Sequence, residues 1–341
     1  MTLKQILVTG SVGFIGAFLC KRLLEETDAH IVGFDNVNAY YDPGIKEDRL
    51  RMIREADPDG RFTFVKGDLC DAALIERLFA ENSFDVVVNL AAQAGVRYSI
   101  DSPRDYIESN LVGFFNVLEA CRHHPVRHLV FASSSSVYGG NEKVPFSESD
   151  QVDHPVSLYA ATKKSNELLA HAYSKLYGIP ATGLRFFTVY GPMGRPDMAY
   201  FKFANTLRAG GTIKIYNMGD CQRDFTYVDD IVEGVVRVMG KAPGDCGTGA
   251  RYKVYNIGNS QPVQLLEFVS TLQHVLVEEG VLPEGYDFEA HRELVPMQPG
   301  DVAVTYADTS ELERDFGYRP STRLEGGLRE FARWYKRYYK L

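Results

Sequence analysis

Tyr159 and Lys163 stand four residues apart in YAATK, so on an α-helix they share one face, a turn apart. A phenol can serve as a general base near neutral pH only if its pKa, ordinarily about 10, falls by roughly three pH units, about 4 kcal/mol. A neighbouring ammonium would supply part of that. Upstream, SSSSVYG (133–139) gathers hydroxyls that can bond the same substrate oxygen. Base, cation and hydroxyl together suit the interconversion of an alcohol and a carbonyl. Each feature also has a plain structural use, the first as a helix with a solvated lysine and the second as a turn or cap. The rest of the chain must decide whether they meet.

TGSVGFIG (9–16) places Gly10, Gly13 and Gly16 between a β-rich run and a helix-like run. Glycines there permit a tight turn and let a pyrophosphate approach backbone amides at a helix N-terminus. Asp35 closes the next β-rich run. A carboxylate at that place accepts from a ribose 2′-hydroxyl and repels a 2′-phosphate, which selects NAD over NADP. The positive nicotinamide ring would then add to the pull on the Tyr159 pKa.

The elements needed to position these residues are legible in the first half. Strands are expected at Gln5–Thr9, Ile31–Asp35, Phe62–Lys66, Asp85–Leu90 and His128–Ala132, with helices at Phe14–Glu26, Ala72–Ala80 and Pro103–Arg122. Nearly continuous Val and Ile runs indicate a sheet covered on both faces. The alternation is that of an α/β fold, a doubly wound parallel sheet. Later, Ala181–Phe187 and Tyr252–Ile257 read as strands and Val228–Met239 as a helix. The stretches between have more Gly, Pro and polar turns. A nucleotide-binding domain over 1–184 plus about 227–261 is expected, with a smaller discontinuous C-terminal substrate lobe from 185–226 and 262–341.

The order of G-x-x-G-x-x-G, Asp35, serine run and Y-x-x-x-K resembles the short-chain dehydrogenase/reductase superfamily, in its extended branch. The resemblance implies a Rossmann-like fold. It extends the cofactor set to Phe14, Ile15, Asn36, Asp68, Leu69, Leu90, Ala91 and Ala92, besides Tyr159 and Lys163. It also gives Ser134 the hydrogen-bonding role beside the tyrosine. Dehydratase relatives carry Asp and Glu where this chain has Ser135 and Ser136, which argues against a sugar 4,6-dehydratase.

Longer stretches, AAQAGVRYS (91–99), SSSSVYGGNEKVPFSE (133–148), HPVSLYAATKKSNE (154–167) and LRFFTVYGPMGRPDMA (184–199), resemble the UDP-glucuronate 4-epimerase group of the nucleotide-sugar epimerases. That implies C4 oxidation to a transient 4-keto sugar, Tyr159 as base, and retained NAD. Arg223 is expected on the nucleotide diphosphate, suited by its planar fork, and Asp301 on the substrate. UDP-glucose 4-epimerases have Asn where this chain has Thr188, and Arg where it has Gln298. A uronate substrate needs its carboxylate held; Arg195, Arg97, Thr188, Ser134, Ser135 and Ser136 are the candidates. The alternatives are a UDP-glucuronate decarboxylase, a UDP-hexose 4-epimerase and a non-catalytic NAD-binding protein.

Composition narrows the classes. Acidic residues outnumber basic ones, 45 against 37 in 341 residues, so neither nucleic acid nor an anionic membrane is an expected partner. No apolar run approaches the roughly 20 residues of a membrane span, and MTLKQILVTG has no secretory-signal pattern. The five cysteines are scattered, and the eight histidines show no ligand-like helical pair. No metal is expected, and a cytoplasmic location fits. By resemblance, Pro103–Arg122 and helix 157–177 would form a homodimer interface. The basic, aromatic segment Arg329–Leu341 reads as a helix with aromatics inward.

Overall fold

The structure is a computed structural model that describes residues 3–297 and 303–341. In its first half β1 (Gln5–Thr9), α1 (Phe14–Glu26), β2 (His30–Asp35), α2 (Pro43–Glu55), β3 (Phe62–Lys66), α3 (Ala72–Ala80) and β4 (Val86–Asn89) follow in turn. Then come short α4 (Tyr98–Asp101) and α5 (Pro103–Tyr106), a π-helical turn (Ile107–Val112), α6 (Gly113–His123), β5 (His128–Ser134), α7 (Leu158–Tyr177) and β6 (Ala181–Phe186). The second half adds β7 (Thr188–Tyr190), α8 (Ala199–Arg208), β8 (Ile213–Ile215), β9 (Gln222–Tyr227), α9 (Val228–Met239), β10 (Tyr252–Ile257), β11 (Pro262–Gln264) and α10 (Leu265–Glu278). It closes with β12 (Arg292–Leu294), β13 (Val304–Thr305), α11 (Ser310–Phe316) and α12 (Leu324–Tyr339).

Seven strands form one parallel sheet in the order β10-β6-β5-β4-β1-β2-β3. Alternate residues of β1 face opposite sides, as strand geometry requires. Ile6 and Val8 enter the core under α1 and α9, while Leu7 enters the core under α3 and α6. Burial on both faces is why the central strands β1, β4 and β5 carry no Asp, Glu, Lys or Arg. The strand order reverses between β1 and β4, and a crevice opens at the strands' carboxyl ends.

A separate apolar core gathers Tyr190, Phe201, Phe225, Phe268, Phe331 and Tyr335, with Phe225 and Phe268 stacked at 4.2 Å. It holds β9, α8, α10 and α12 together, and the α12 aromatics Phe331, Trp334 and Tyr335 are buried in it. Helix α2 touches both cores: Ile53 belongs to the sheet core and Ile45 to the second.

The elements of the second lobe were not expected one by one, and in the first half two departures bear on the site. Helix α2 was not anticipated, because its run is strongly charged; Asp42 accepting from the Gly44 N–H, followed by Pro43, marks its start. The expected helix 103–122 is broken by the π-helical turn. There the Asn110 carbonyl accepts from Asn166 Nδ2 at 2.6 Å, while its side chain bonds Gln93 N–H, Gln93 C=O and Thr162. Side-chain pairing with α7 and the 93 loop outweighs regular helical bonding at that point. None of the helices among the described residues is long and apolar enough to cross a membrane.

Candidate active site

A cleft of about 1080 Å³ lies over the carboxyl ends of the parallel strands. It is lined by Gly10, Gly13, Phe14, Ile15, Gly16, Asp35, Asn36, Asp68, Leu69, Leu90, Ala91 and Ala92 on one side. Arg97, Ser134, Ser135, Ser136, Tyr159, Lys163, Thr188, Arg195 and Arg223 line the remainder. Every expected site residue within the described part therefore meets in one place. Asp301 and Gln298 lie outside the described residues.

The glycine turn fits a dinucleotide. Gly10 has φ +69° and its N–H donates to Phe34 C=O at 2.7 Å; a Cβ there would sit 2.7 Å from the Ala91 nitrogen. A Cβ at Gly16 would collide with the Gly10 carbonyl oxygen. Helix α1 opens at Gly13 with no side-chain cap, so its first-turn amides face the cleft with no side-chain oxygen competing for them. Asp35 is pinned by the Val37 N–H at 2.8 Å and the Val12 N–H at 3.3 Å. Burial pushes its pKa up, against those amides and the nearby cations Lys46 and Arg49. Burial also works to raise Asp68, but the Cys70 N–H and the Asn36 amide hold its carboxyl below the usual range.

Helix α7 carries the chemical groups. Ser157 caps its first turn through the Ala160 N–H at 3.1 Å, and Gly178 ends it in the left-handed conformation. Tyr159 and Lys163 do share a face. Lys163 is 3 % exposed, donates to the Ala132 carbonyl at 2.9 Å, and is pushed down to about 8 by burial. Burial raises the Tyr159 phenol; a hydrogen bond with Ser134 and the charge of Arg195 oppose it, and Asp197 adds to it. Arg195 is thus a further cation whose charge bears on the phenol, besides Lys163, which lines the same cleft. Ser134 Oγ in turn accepts from Ser136 Oγ at 3.0 Å and from Ser136 N–H at 3.2 Å.

Arg195 donates from Nε to Asp197 Oδ1 at 3.0 Å and from Nη2 to Oδ2 at 2.6 Å. Tyr40, also in the cleft, donates to the same Asp197 at 3.3 Å and has its pKa raised to about 12 by burial and that carboxylate. Sequence reading passed over Asp197 and Tyr40. Asp197 is the carboxylate nearest Arg195 in GPMGRPDMA, a usable signal; Tyr40 had none. Arg97 lies over the Tyr216 ring, 5.1 Å from its centre. Arg223 donates to the carbonyls of Gln222 and Ala303 at 2.9 and 3.0 Å. Its neighbour Asp224 points inward instead, accepting from the N–H groups of Asn259, Ser260 and Ala307.

Residues 6–258 match the NAD dependent epimerase/dehydratase family. The protein CapI of Staphylococcus aureus is 50 % identical, with 98 % of this chain and 99 % of the relative covered. UDP-glucuronate 4-epimerase 3 of Arabidopsis thaliana is 45 % identical over 98 % of this chain and 77 % of its own length. The crystal structure of UDP-glucuronic acid 4-epimerase from Bacillus cereus, in complex with UDP-glucuronic acid and NAD, superposes with a TM-score of 0.87 at 32 % identity. It covers 98 % of this chain and 100 % of that one.

Proposed function

Because the chain belongs to the NAD dependent epimerase/dehydratase family, we propose that it is a UDP-glucuronate 4-epimerase, interconverting UDP-glucuronate and UDP-galacturonate with retained NAD. The observation that carries this reading is the convergence of Tyr159, Ser134, Lys163 and Arg195 in one cleft with the glycine turn. Gly10, Gly13, Gly16 and the start of α1 hold the pyrophosphate. Asp35 takes the adenosine ribose, and Asp68 and Leu69 flank the adenine. When bound, NAD supplies a hydride acceptor for sugar C4, a positive ring beside the phenol, and the return of that hydride to the opposite face.

Tyr159, ionised, takes the C4 hydroxyl proton at its phenolic oxygen as the C4–H bond breaks, leaving a C4 carbonyl. After the sugar turns over, the phenol returns that proton to the reforming C4 oxygen. Ser134 orients the oxygen, and its hydrogen bond with the phenol favours the ionised form. Arg195, Thr188, Ser135 and Ser136 surround the C6 carboxylate, with Arg97 as a further cation, and Arg223 contacts the diphosphate. Asp301 completes the substrate set. Residues 185–226 and 262–341 act as the substrate lobe against a cofactor domain of 1–184 and about 227–261.

The test is incubation of the purified protein with UDP-glucuronate and no added NAD, followed by chromatography with mass detection. A new peak of unchanged mass co-eluting with UDP-galacturonate is expected. A product lighter by carbon dioxide would reassign the chain to decarboxylation of the β-keto acid. No turnover, even with NAD added, would move it to another nucleotide sugar or to cofactor binding alone.

We also propose a homodimer through α6 and α7, supported by exposed Val112 and Phe115 before and on the first and Leu168, Leu176 and Tyr177 on the second. Sedimentation should give twice the chain mass, and a monomer would overturn it. A cytoplasmic location is supported by five unpaired cysteines, Cys246 among them exposed. Fractionation of the source cells tests it.

A further inference from the structure

Arg49 is completely buried on α2, yet it makes five hydrogen bonds, all to neutral oxygens. Nε and Nη2 both donate to the Met193 carbonyl, at 3.0 and 2.6 Å, and Nη2 also reaches Gly194 at 3.3 Å. Nη1 donates to the Val12 carbonyl at 3.0 Å and to the Tyr41 hydroxyl at 2.7 Å. Val12 lies inside the glycine turn, between Gly10 and Gly13. Met193 and Gly194 immediately precede Arg195, and Tyr41 adjoins Tyr40, which holds Asp197. The same helix face presents Ile45 to the second core and Ile53 to the sheet core, with Arg49 midway.

A buried charge is expensive to desolvate, and an apolar side chain would fill such a site at less cost. What a guanidinium adds is a rigid planar fork that fixes several acceptors at once. Here the acceptors come from the cofactor turn, the loop before Arg195 and the loop beside Tyr40. We propose that Arg49 is a positioning residue that locks the 193–195 loop to the glycine turn, and so holds Arg195 facing Tyr159 and the sugar carboxylate. This rests on the reading of the cleft as a dinucleotide and UDP-uronate site. Arg49 itself touches neither the phenol nor Arg195.

The test uses Arg49→Lys and Tyr41→Phe, each purified as the full chain with its retained cofactor. Lysine keeps the charge but loses the fork; phenylalanine removes one acceptor and leaves the guanidinium in place. In Arg49→Lys the KM for UDP-glucuronate should rise roughly tenfold while kcat changes by less than about threefold, because binding geometry is lost before chemistry. Backbone hydrogen exchange over residues 189–198 should be faster, and less NAD should remain per chain after gel filtration. Tyr41→Phe should shift each readout in the same direction by a smaller factor. A folded Arg49→Lys with unchanged KM, exchange and NAD content overturns the proposal, as does an equal fall in kcat and kcat/KM at unchanged KM. If Arg49→Lys does not fold, wild-type values in Tyr41→Phe overturn it. Should the unmodified protein fail to epimerise, that sinks the functional reading alone, since exchange and NAD content still report on the lock.

Discussion

Ser133 Oγ donates to Glu167 Oε1 at 2.6 Å, joining the end of β5 to the third turn of α7. The contact is one of three between the end of β5 and α7. Ser134 meets Tyr159, the Ala132 carbonyl meets Lys163, and Ser133 meets Glu167. The strand residues 132, 133 and 134 thus engage helix residues 163, 167 and 159, which lie on one face of α7. Arg185 of β6 closes the set, donating from Nε and Nη2 to the two Glu167 oxygens at 2.8 and 2.9 Å.

Glu167→Gln therefore leaves the buried Arg185 guanidinium without its counter-charge. Breaking such a pair from one side costs about 3–5 kcal/mol. Urea unfolding should show a loss of that order; a loss below about 1 kcal/mol would mean that solvent reaches the pair and replaces the carboxylate.

Tyr159→Phe removes the proposed proton acceptor and keeps the ring packed edge-on to Tyr106, 5.9 Å away. A fall in kcat of about a thousandfold or more is expected, with Ser134→Ala losing roughly ten- to a hundredfold. NAD content should stay near the unmodified level in both. Residual activity within about tenfold for the phenylalanine variant would remove Tyr159 from its assigned role.

Asn110→Ala strands the Gln93 N–H and C=O and removes one donor from the Thr162 hydroxyl, which keeps its bond to the Tyr159 carbonyl. Unmade buried hydrogen bonds cost about 1–3 kcal/mol each, so a loss of about 2–4 kcal/mol after partial relaxation is expected. Thermal unfolding checks it, and an unchanged midpoint would show that the π-helical turn forms without this side chain.

Two buried groups give the stability opposing pH dependences. Burial pushes Glu148 up to about 7 from an ordinary 4.5, against the Asn256 N–H it accepts from, with Glu311 and Asp308 adding to the rise. The native state then holds a proton that the unfolded chain has released, so this contribution falls as pH rises from about 4.5 to 7. Burial pushes His128 down to about 4 from 6.5, although its ring bonds Thr182 at 2.8 Å. There the unfolded chain takes the proton first, and stability falls as pH drops from about 6.5 towards 4. Each amounts to up to about 3 kcal/mol. Unfolding free energy against pH should rise more steeply between pH 5 and 7 in Glu148→Gln than in the unmodified chain, and should fall with pH relative to it in His128→Gln, where only the Glu148 contribution remains. Parallel curves in all three proteins would contradict both assignments.

Much of this was legible beforehand because it depends on short-range pattern. Val and Ile runs sit at β1 to β5 within a residue or two of expectation, since a parallel sheet needs strands that are apolar on both faces. The glycine turn, Asp35 and the Tyr159–Lys163 pair could be placed because each is defined by spacing along one element. Helix α2 was missed because its burial is divided between two cores, which dilutes the apolar stripe that periodicity looks for. The π-helical turn was missed because its cause, Asn110 pairing with Gln93, Thr162 and Asn166, lies in distant segments.

The sequence by itself determined the parallel α/β architecture, the dinucleotide turn and the identity of the groups able to move a proton. Their spacing follows from helix and strand geometry alone. Only the tertiary structure brought a second cation into the cleft with the phenol. Arg195, 36 positions from Tyr159 in the chain, lines the same cleft as the phenol and the Lys163 ammonium, which donates to the Ala132 carbonyl. It likewise decided that Arg195 pairs with Asp197 and that Arg49 bonds both residues 193–194, just before Arg195, and Val12 of the glycine turn. Charge acts through space, and which charges become neighbours is set by how the two cores pack against α2.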